Sequence, residues 1–441
     1  MRRLLLLIYV TFAMALFKAG VAIGQNHVQH NSSRDSILMA IHRQVDLLKL
    51  AGGEENINKI DHILQSVADA DTTYLPAVLE YAEFLKYHDA KRSIKYYLIY
   101  QRGNTKGSIH SYIDGLVLLS DAYHRLRMYD KNEELINQAI ELINKDKARA
   151  SMSEDYLYAS AKLYSQVSML YSTTNRYDDA ETTAEKSLNA YKLLSEIDSV
   201  EYMSDYGQAL KIAGDNYREM KKFDKAKECL YSAFNKFQYL YAENARTYCA
   251  KFGWTAAALG MMYKRMDEAE NALPYYDLAI KLYREAVKYD PAAYDYHLAT
   301  TLNNKASILE DDDSQQKYEL FNEAASHLKK LVQKNATSYR GAYLTSQKNL
   351  CSVSLSLSKY QETIDLIQSL MSDILIISET SDANKKLYLG RFCIYLAEGY
   401  KGLGDNATAL GYFNQAIDIL QTGTLWEECV KQRDLLVNAN H

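Results

Sequence analysis

Five cysteines are the residues of this 441-residue chain best suited to metal or redox chemistry. They form no Cys-x-x-Cys pair of the kind that binds zinc or exchanges disulfides, and their odd number leaves one thiol unpaired. We therefore expect buried thiols that pack as small apolar residues. The alternative is a single disulfide between Cys229 and Cys249. The other three cysteines are Cys351, Cys393 and Cys429.

The histidines, acids and glycines also lack the spacing that catalysis or ligand binding requires. No His-Glu-x-x-His motif occurs among the ten histidines. The acidic run at 310–313 lacks the alternating oxygens and the glycine turn of a calcium loop. Gly399, Gly402 and Gly404 do not have phosphate-loop spacing. We predict no metal, no cofactor and no catalytic residue, and we expect that the chain is not an enzyme.

A helical pattern recurs along the chain. In residues 396–420, Ala397 and Tyr400 precede a glycine-rich turn, and Ala409 and Phe413 follow it. On two antiparallel helices, the alanines allow a close crossing and the rings fill the layer between them. The position of Tyr400 recurs about every 46 residues. It is occupied by Tyr81, Tyr123, Tyr171, Tyr217, Tyr263, Leu309, Ser354 and Tyr400.

This pattern resembles the tetratricopeptide repeat family, in which Leu-Gly precedes a tyrosine and Ala-x3-Phe follows the turn. Here Leu259 and Gly260 precede Tyr263, and Ala272 and Tyr276 follow it. The resemblance implies an all-α fold, a right-handed α-solenoid of eight to nine stacked antiparallel hairpins with a C-terminal capping helix. The repeat exceeds the family's usual 34 residues by about 12, as in its long-repeat members.

The N-terminal segment resembles a secretory signal. Residues 1–24 combine Arg2, Arg3, an apolar run at 4–17 and small residues before Gln25. Cleavage there would remove three basic residues and lower the formal charge from −5 to −8. We expect a periplasmic or secreted protein without stable membrane insertion after cleavage. The alternative is an anchor formed by the uncleaved segment.

Four further segments follow the signal. We predict a flexible N-terminus at 25–35, an N-terminal hairpin or cap at 36–70, the repeat array at 71–421, and a capping helix and tail at 422–441.

The resemblance also implies where a partner binds. In this family, the first helix of each hairpin lines a concave groove that holds an extended or helical peptide. The central part of that groove combines apolar anchors with cations, a mixture typical of binding hot spots. An Asp at 215, four residues after Lys211, departs from the Lys–Asn pair of clamps for C-terminal carboxylates, so we do not predict recognition of a C-terminal tail. The predicted partner-binding residues are Lys211, Asp215, Arg218, Trp254, Met261 and Lys264.

We predict a non-catalytic scaffold that binds a protein or peptide partner in this groove. No cluster of lysine and arginine occurs, which argues against nucleic acid as a partner. Two alternatives remain open, an input module of an envelope signalling system and a glycan-binding surface protein. The partner's identity and the oligomeric state are not specified by the sequence.

Overall fold

The computed structural model describes residues 27–51, 54–104, 109–147, 153–334, 336–377 and 382–439. These residues form helices and short connections, and no strand occurs among them. The predicted signal, residues 1–24, lies outside the described ranges. None of the helices that were described has both the length and the apolar character needed to cross a membrane.

Nineteen α-helices are formed by the described residues. In chain order they are α1 (His27–Ala51), α2 (Glu54–Ala70), α3 (Leu75–His88), α4 (Ala90–Gly103), α5 (Ile109–Arg125), α6 (Tyr129–Lys147), α7 (Glu154–Thr173), α8 (Tyr177–Ile197), α9 (Met203–Glu219), α10 (Phe223–Glu243), α11 (Ala245–Arg265), α12 (Ala269–Tyr289), α13 (Pro291–Ala306), α14 (Ser314–Lys334), α15 (Ala336–Ser356), α16 (Tyr360–Ile377), α17 (Asp382–Gly402), α18 (Asn406–Leu420) and α19 (Thr424–Ala439). Helices α1 to α18 follow one another as consecutive pairs, and α19 stands alone. The predicted all-α array of hairpins is confirmed. Helix α1 starts within the segment 25–35 that was predicted to be flexible.

The described residues belong to two compact units. Unit 1 contains the described residues up to Met266 together with Arg284–Tyr294. Unit 2 contains Asp267–Tyr283 and the described residues from Asp295 onward. In each unit, helices that are consecutive in the chain pack against each other, as α7 does against α8 and α17 against α18.

Small and aromatic residues fill the layers between helices, as the repeat pattern predicts. Ala397, Ala409 and Phe413 are completely buried in the core of α17, α18 and α19. The last helix contributes Leu425 and Cys429 to the same core. Helix α19 therefore covers the apolar side of the hairpin before it, as a cap of a repeat array must.

The residue at the repeated position of Tyr400 also marks where most hairpins turn. The amide of Lys222 donates to the carbonyl of Tyr217 over 2.8 Å, five residues back, and Lys221 between them has a φ of 58°. This closure satisfies a helix-terminal carbonyl and needs one left-handed residue. A left-handed residue stands four positions after six of the repeat residues. These are Arg127, Asn175, Lys221, Asp267, Ser358 and Gly404.

The copies at Tyr81 and Leu309 depart from this rule, and the copy at Leu309 has the longer connection. Helix α13 ends at Ala306, and a short 3-10 turn at Asp311–Asp313 leads into α14. No left-handed residue occurs in this described connection. Seven residues, 307–313, thus replace the three-residue turn found after Tyr217.

Candidate functional site

The first helices of the hairpins in unit 1 pack against one another. Helix α5 contacts α7, α7 contacts α9, and α9 contacts α11. Successive second helices pack less closely in the described part of unit 1, where Lys225 of α10 bonds Glu181 of α8 over 2.8 Å. The first helices therefore lie on the inner side of the stack. All six predicted partner-binding residues lie on α9 and α11, and we call the surface that they form the α9–α11 face.

Three charged residues of α9 form an ion triad. Lys211, Asp215 and Arg218 share one side of the helix because they are four and three residues apart. The carboxylate of Asp215 accepts a bond from the ammonium of Lys211 and another from the guanidinium of Arg218. Lys211 is only 8% exposed and Arg218 only 7%. The sequence pattern places these two residues at outward positions, whereas the structure turns both side chains onto Asp215.

The triad changes the pKa values of its members. Burial alone would raise the pKa of Asp215, but the charges of Lys211 and Arg218 outweigh it and hold that pKa below its ordinary value. Burial lowers the pKa of Lys211, and the attraction of Asp215 offsets only part of this effect. The carboxylate is therefore firmly ionised, and it is held between two cations.

Trp254 connects the triad to α11. The ammonium of Lys211 lies 3.7 Å from the centre of the Trp254 ring, a cation–π contact between the two helices. Such a contact contributes about 2 kcal/mol when the cation is desolvated. The Trp254 side chain is half-buried, so part of the ring remains accessible. Met261 is two helical turns further along α11 and is also half-buried.

The charged network continues beyond the triad. Glu219 accepts from Arg218 over 3.0 Å and from Arg265 of α11 over 2.8 Å. Lys264, beside Arg265, is half-buried, and burial, followed by the charge of Arg265, lowers its pKa. The structure thus joins Lys211, Asp215, Arg218 and Trp254 through direct contacts.

Further polar pairs connect the first helices along unit 1. Asp114 of α5 pairs with Lys162 of α7. The hydroxyl of Tyr158 donates to Asp205 of α9 over 2.7 Å. Lys251 of α11 donates to Ser204 over 2.8 Å.

The partners in these pairs are 47 or 48 residues apart, which is about one repeat. Sequence reasoning did not identify them. The pairs could have been found in the sequence as complementary polar residues that lie one repeat apart.

Residues from the start and the end of unit 1 also meet. His88 Nε2 lies 3.3 Å from Asp290 Oδ2, although 202 residues separate them in the chain. Arg246 donates to the backbone carbonyl of Asp46 over 3.3 Å. The first contact holds the end of α3 near the connection that follows α12, and the second holds α1 near the start of α11.

The cysteines are all buried free thiols, and Cys229 and Cys249 are not bridged. Burial raises the pKa of Cys351 to about 12 and those of Cys393 and Cys429 to about 11. Such thiols remain protonated and are poor nucleophiles. In the part of the chain that the structure describes, no group of His, Cys, Asp or Glu is arranged to hold a metal ion.

A family profile described as tetratricopeptide repeat matches residues 253–292. This segment contains Trp254, Met261 and Lys264 of the α9–α11 face. Residues 253–292 of the chain thus form a tetratricopeptide repeat. The resemblance inferred from the repeat pattern is confirmed. No curated protein matches the sequence.

Solved structures of similar fold come from several proteins. The apo form of the quorum sensor NprR from B. thuringiensis has a TM-score of 0.46 and 16% identity, over 83% of this chain and 98% of that one. A Rap protein complexed with competence and sporulation factor has a TM-score of 0.45 and 12% identity over the same shares. BtubC from P. vanneervenii has a TM-score of 0.38 and 18% identity, over 57% of this chain and 90% of that one.

Tetratricopeptide-repeat folds are typical of protein–protein interaction scaffolds, because stacked hairpins form an extended binding surface. Scaffolds of this type are generally non-catalytic.

Proposed function

We propose that the chain is a non-catalytic scaffold that binds a protein or peptide partner on the α9–α11 face. The observation that carries this proposal is the half-buried Trp254 ring, which is held in place by a buried cation. Trp and Arg are the residues most enriched in interface hot spots. A ring that is already fixed loses little conformational entropy when a partner binds.

The charges of this face favour a partner with an acidic group near its apolar anchor. Lys211 and Arg218 share one carboxylate, so the triad carries one excess positive charge. Glu219 and Arg265 carry opposite charges, so including this pair leaves the excess of one positive charge unchanged. Lys211 covers one side of the Trp254 ring, and the partner's apolar side chain contacts the part of the ring that remains exposed.

A pull-down from the native host tests this proposal. The bait is the chain itself, compared with a Trp254→Ala/Lys264→Glu variant. The matched control is Tyr239→Ala/Lys227→Glu, which removes an exposed aromatic and reverses an exposed cation on α10, a second helix. We expect a partner that the native and control baits retain and the α9–α11 variant loses. Equal capture by all three baits would contradict the assignment of the face.

We also propose that residues 1–24 direct export and are removed before Gln25, which places the scaffold in the periplasm or outside the cell. The charged, then apolar, then small-residue order of this segment supports the proposal. Mass spectrometry of the protein from fractionated cells should give Gln25 as its first residue, in an extracytoplasmic fraction. An intact Met1 in the membrane fraction would instead support the uncleaved anchor, and an intact Met1 in the cytoplasm would contradict export.

A further inference from the structure

A pocket of about 500 Å³ lies within unit 2, between the end of α13, the start of α14 and one side of α15. Its volume is within the range of about 300–1,000 Å³ that small-molecule sites occupy. The buried side chains of Ala306, Phe321 and Val353 form its apolar part. We call it the serine pocket after its polar lining, which consists of Ser307, Ser314, Lys317, Asn349, Ser352 and Ser356.

The serine pocket lies where the repeat departs from its own rule. Leu309 stands in the tyrosine position of this copy, and Ser354 stands in that of the next one. The connection after α13 is the longer one, with a 3-10 turn in place of a left-handed residue. Ala306, Ser307 and Ser314 of the pocket flank this connection. Two neighbouring copies have thus lost the usual tyrosine where the chain forms a pocket.

The hydrogen-bonding groups of the pocket fit ligand hydroxyls. Ser356 donates its own hydrogen to the carbonyl of Val353 over 2.8 Å, so its oxygen retains acceptor capacity. Asn349 is half-buried, and its side-chain amide makes no hydrogen bond to any residue that the structure describes. This amide can both donate and accept hydrogen bonds. Lys317 adds a cationic group to the lining, and it already interacts with another group of the chain.

We infer that the serine pocket binds a hydroxyl-rich ligand of monosaccharide size. Hydroxyls of the ligand donate to serine oxygens and exchange hydrogen bonds with the Asn349 amide. The less polar face of the ligand lies against the apolar part of the pocket. This site is independent of the partner site proposed for unit 1.

Saturation-transfer NMR on the purified full-length chain tests this inference. The probes are galactose, mannose, N-acetylglucosamine and myo-inositol at millimolar concentration. We expect saturation transfer to at least one of these four probes. The inference is overturned when none of them receives transfer.

Three variants locate the binding. Ser356→Phe fills the pocket and should abolish transfer, whereas Asn349→Leu keeps the shape and should weaken binding about tenfold through lost hydrogen bonds. Ser369→Phe is the matched control, because Ser369 is an exposed serine of α16 that also donates to the carbonyl three residues back. Transfer that survives in Ser356→Phe at the level of Ser369→Phe would place the sugar elsewhere and refute the site.

Discussion

The α9–α11 face and the serine pocket are both polar, but they differ in how their polar groups are paired within the chain. On the α9–α11 face, Asp215 is shared by two buried cations and Lys211 is covered by Trp254. In the serine pocket, Asn349 has no partner among the described residues. The first set of charges is satisfied within the chain and serves to position an aromatic anchor. In the pocket, the side-chain amide of Asn349 is left for a ligand, whereas Ser307 and Ser356 already donate to backbone carbonyls.

Replacing Asp215 with Asn tests the first half of this comparison and should have the largest effect. The change leaves the buried cation of Lys211 without a carboxylate and leaves Arg218 with Glu219 alone, and breaking a buried pair in this way costs about 3–5 kcal/mol. Chemical denaturation should show this loss in the free energy of unfolding. Asp224→Asn, at an exposed position of α10, should cost less than about 1 kcal/mol. Similar losses in the free energy of unfolding in both variants would contradict a stabilising role for the buried ion triad.

The pH dependence of the same variant gives a second test. Lys211 and Arg218 hold the pKa of Asp215 below its ordinary value of 3.8, so the carboxylate stabilises the fold above about pH 4. That contribution is lost as the pH falls through the lowered pKa. The difference in melting temperature between the native chain and Asp215→Asn should therefore be full at neutral pH and shrink in acid. A difference that stays constant into strong acid would exclude an ionised Asp215 as its source.

Replacing Trp254 with Ala should have a moderate effect on stability. The change removes the cation–π contact with Lys211, which contributes about 2 kcal/mol, and leaves the hairpins folded. Circular dichroism should show unchanged helix content with a modestly lower melting temperature, while partner capture is lost. A loss near that of Asp215→Asn would place the ring in the core, with no role as an accessible anchor.

Replacing Asn349 with Leu should have the smallest effect on stability. Its amide has no partner to lose among the described residues, so the free energy of unfolding should change by about 0.5 kcal/mol or less. Denaturation of this variant beside Asp215→Asn compares the two sites directly. A loss of several kcal/mol would show that Asn349 supports the fold and would remove the contrast.

The spacing of the repeats could be predicted from the sequence. At five of the repeated positions, the carbonyl of the residue assigned from residue pattern and spacing closes the turn, as at Tyr217 and Tyr400. This succeeds because each hairpin is a local structure whose period and turn chemistry are encoded within about 46 residues.

The burial and accessibility of the side chains at the two candidate sites could be predicted only in part. The sequence places Lys211, Asp215 and Arg218 on one side of α9, but the ring that covers Lys211 belongs to Trp254 of the next hairpin. The serine pocket shows a similar limit. Its irregular copies at Leu309 and Ser354 are visible in the sequence, whereas the volume results from how three helices pack. Local periodicity specifies which residues share a helix side, and packing between repeats decides which of them stay accessible.

The most direct test of the proposed scaffold function is photo-crosslinking in the native host. A photoreactive phenylalanine analogue replaces Met261 on the α9–α11 face or, as the control, the exposed Tyr239 on α10. We expect one defined crosslinked protein from position 261, none from position 239, and loss of the product when Trp254→Ala is added. A product from position 239 alone, or a product at 261 that persists without Trp254, would contradict binding at this face.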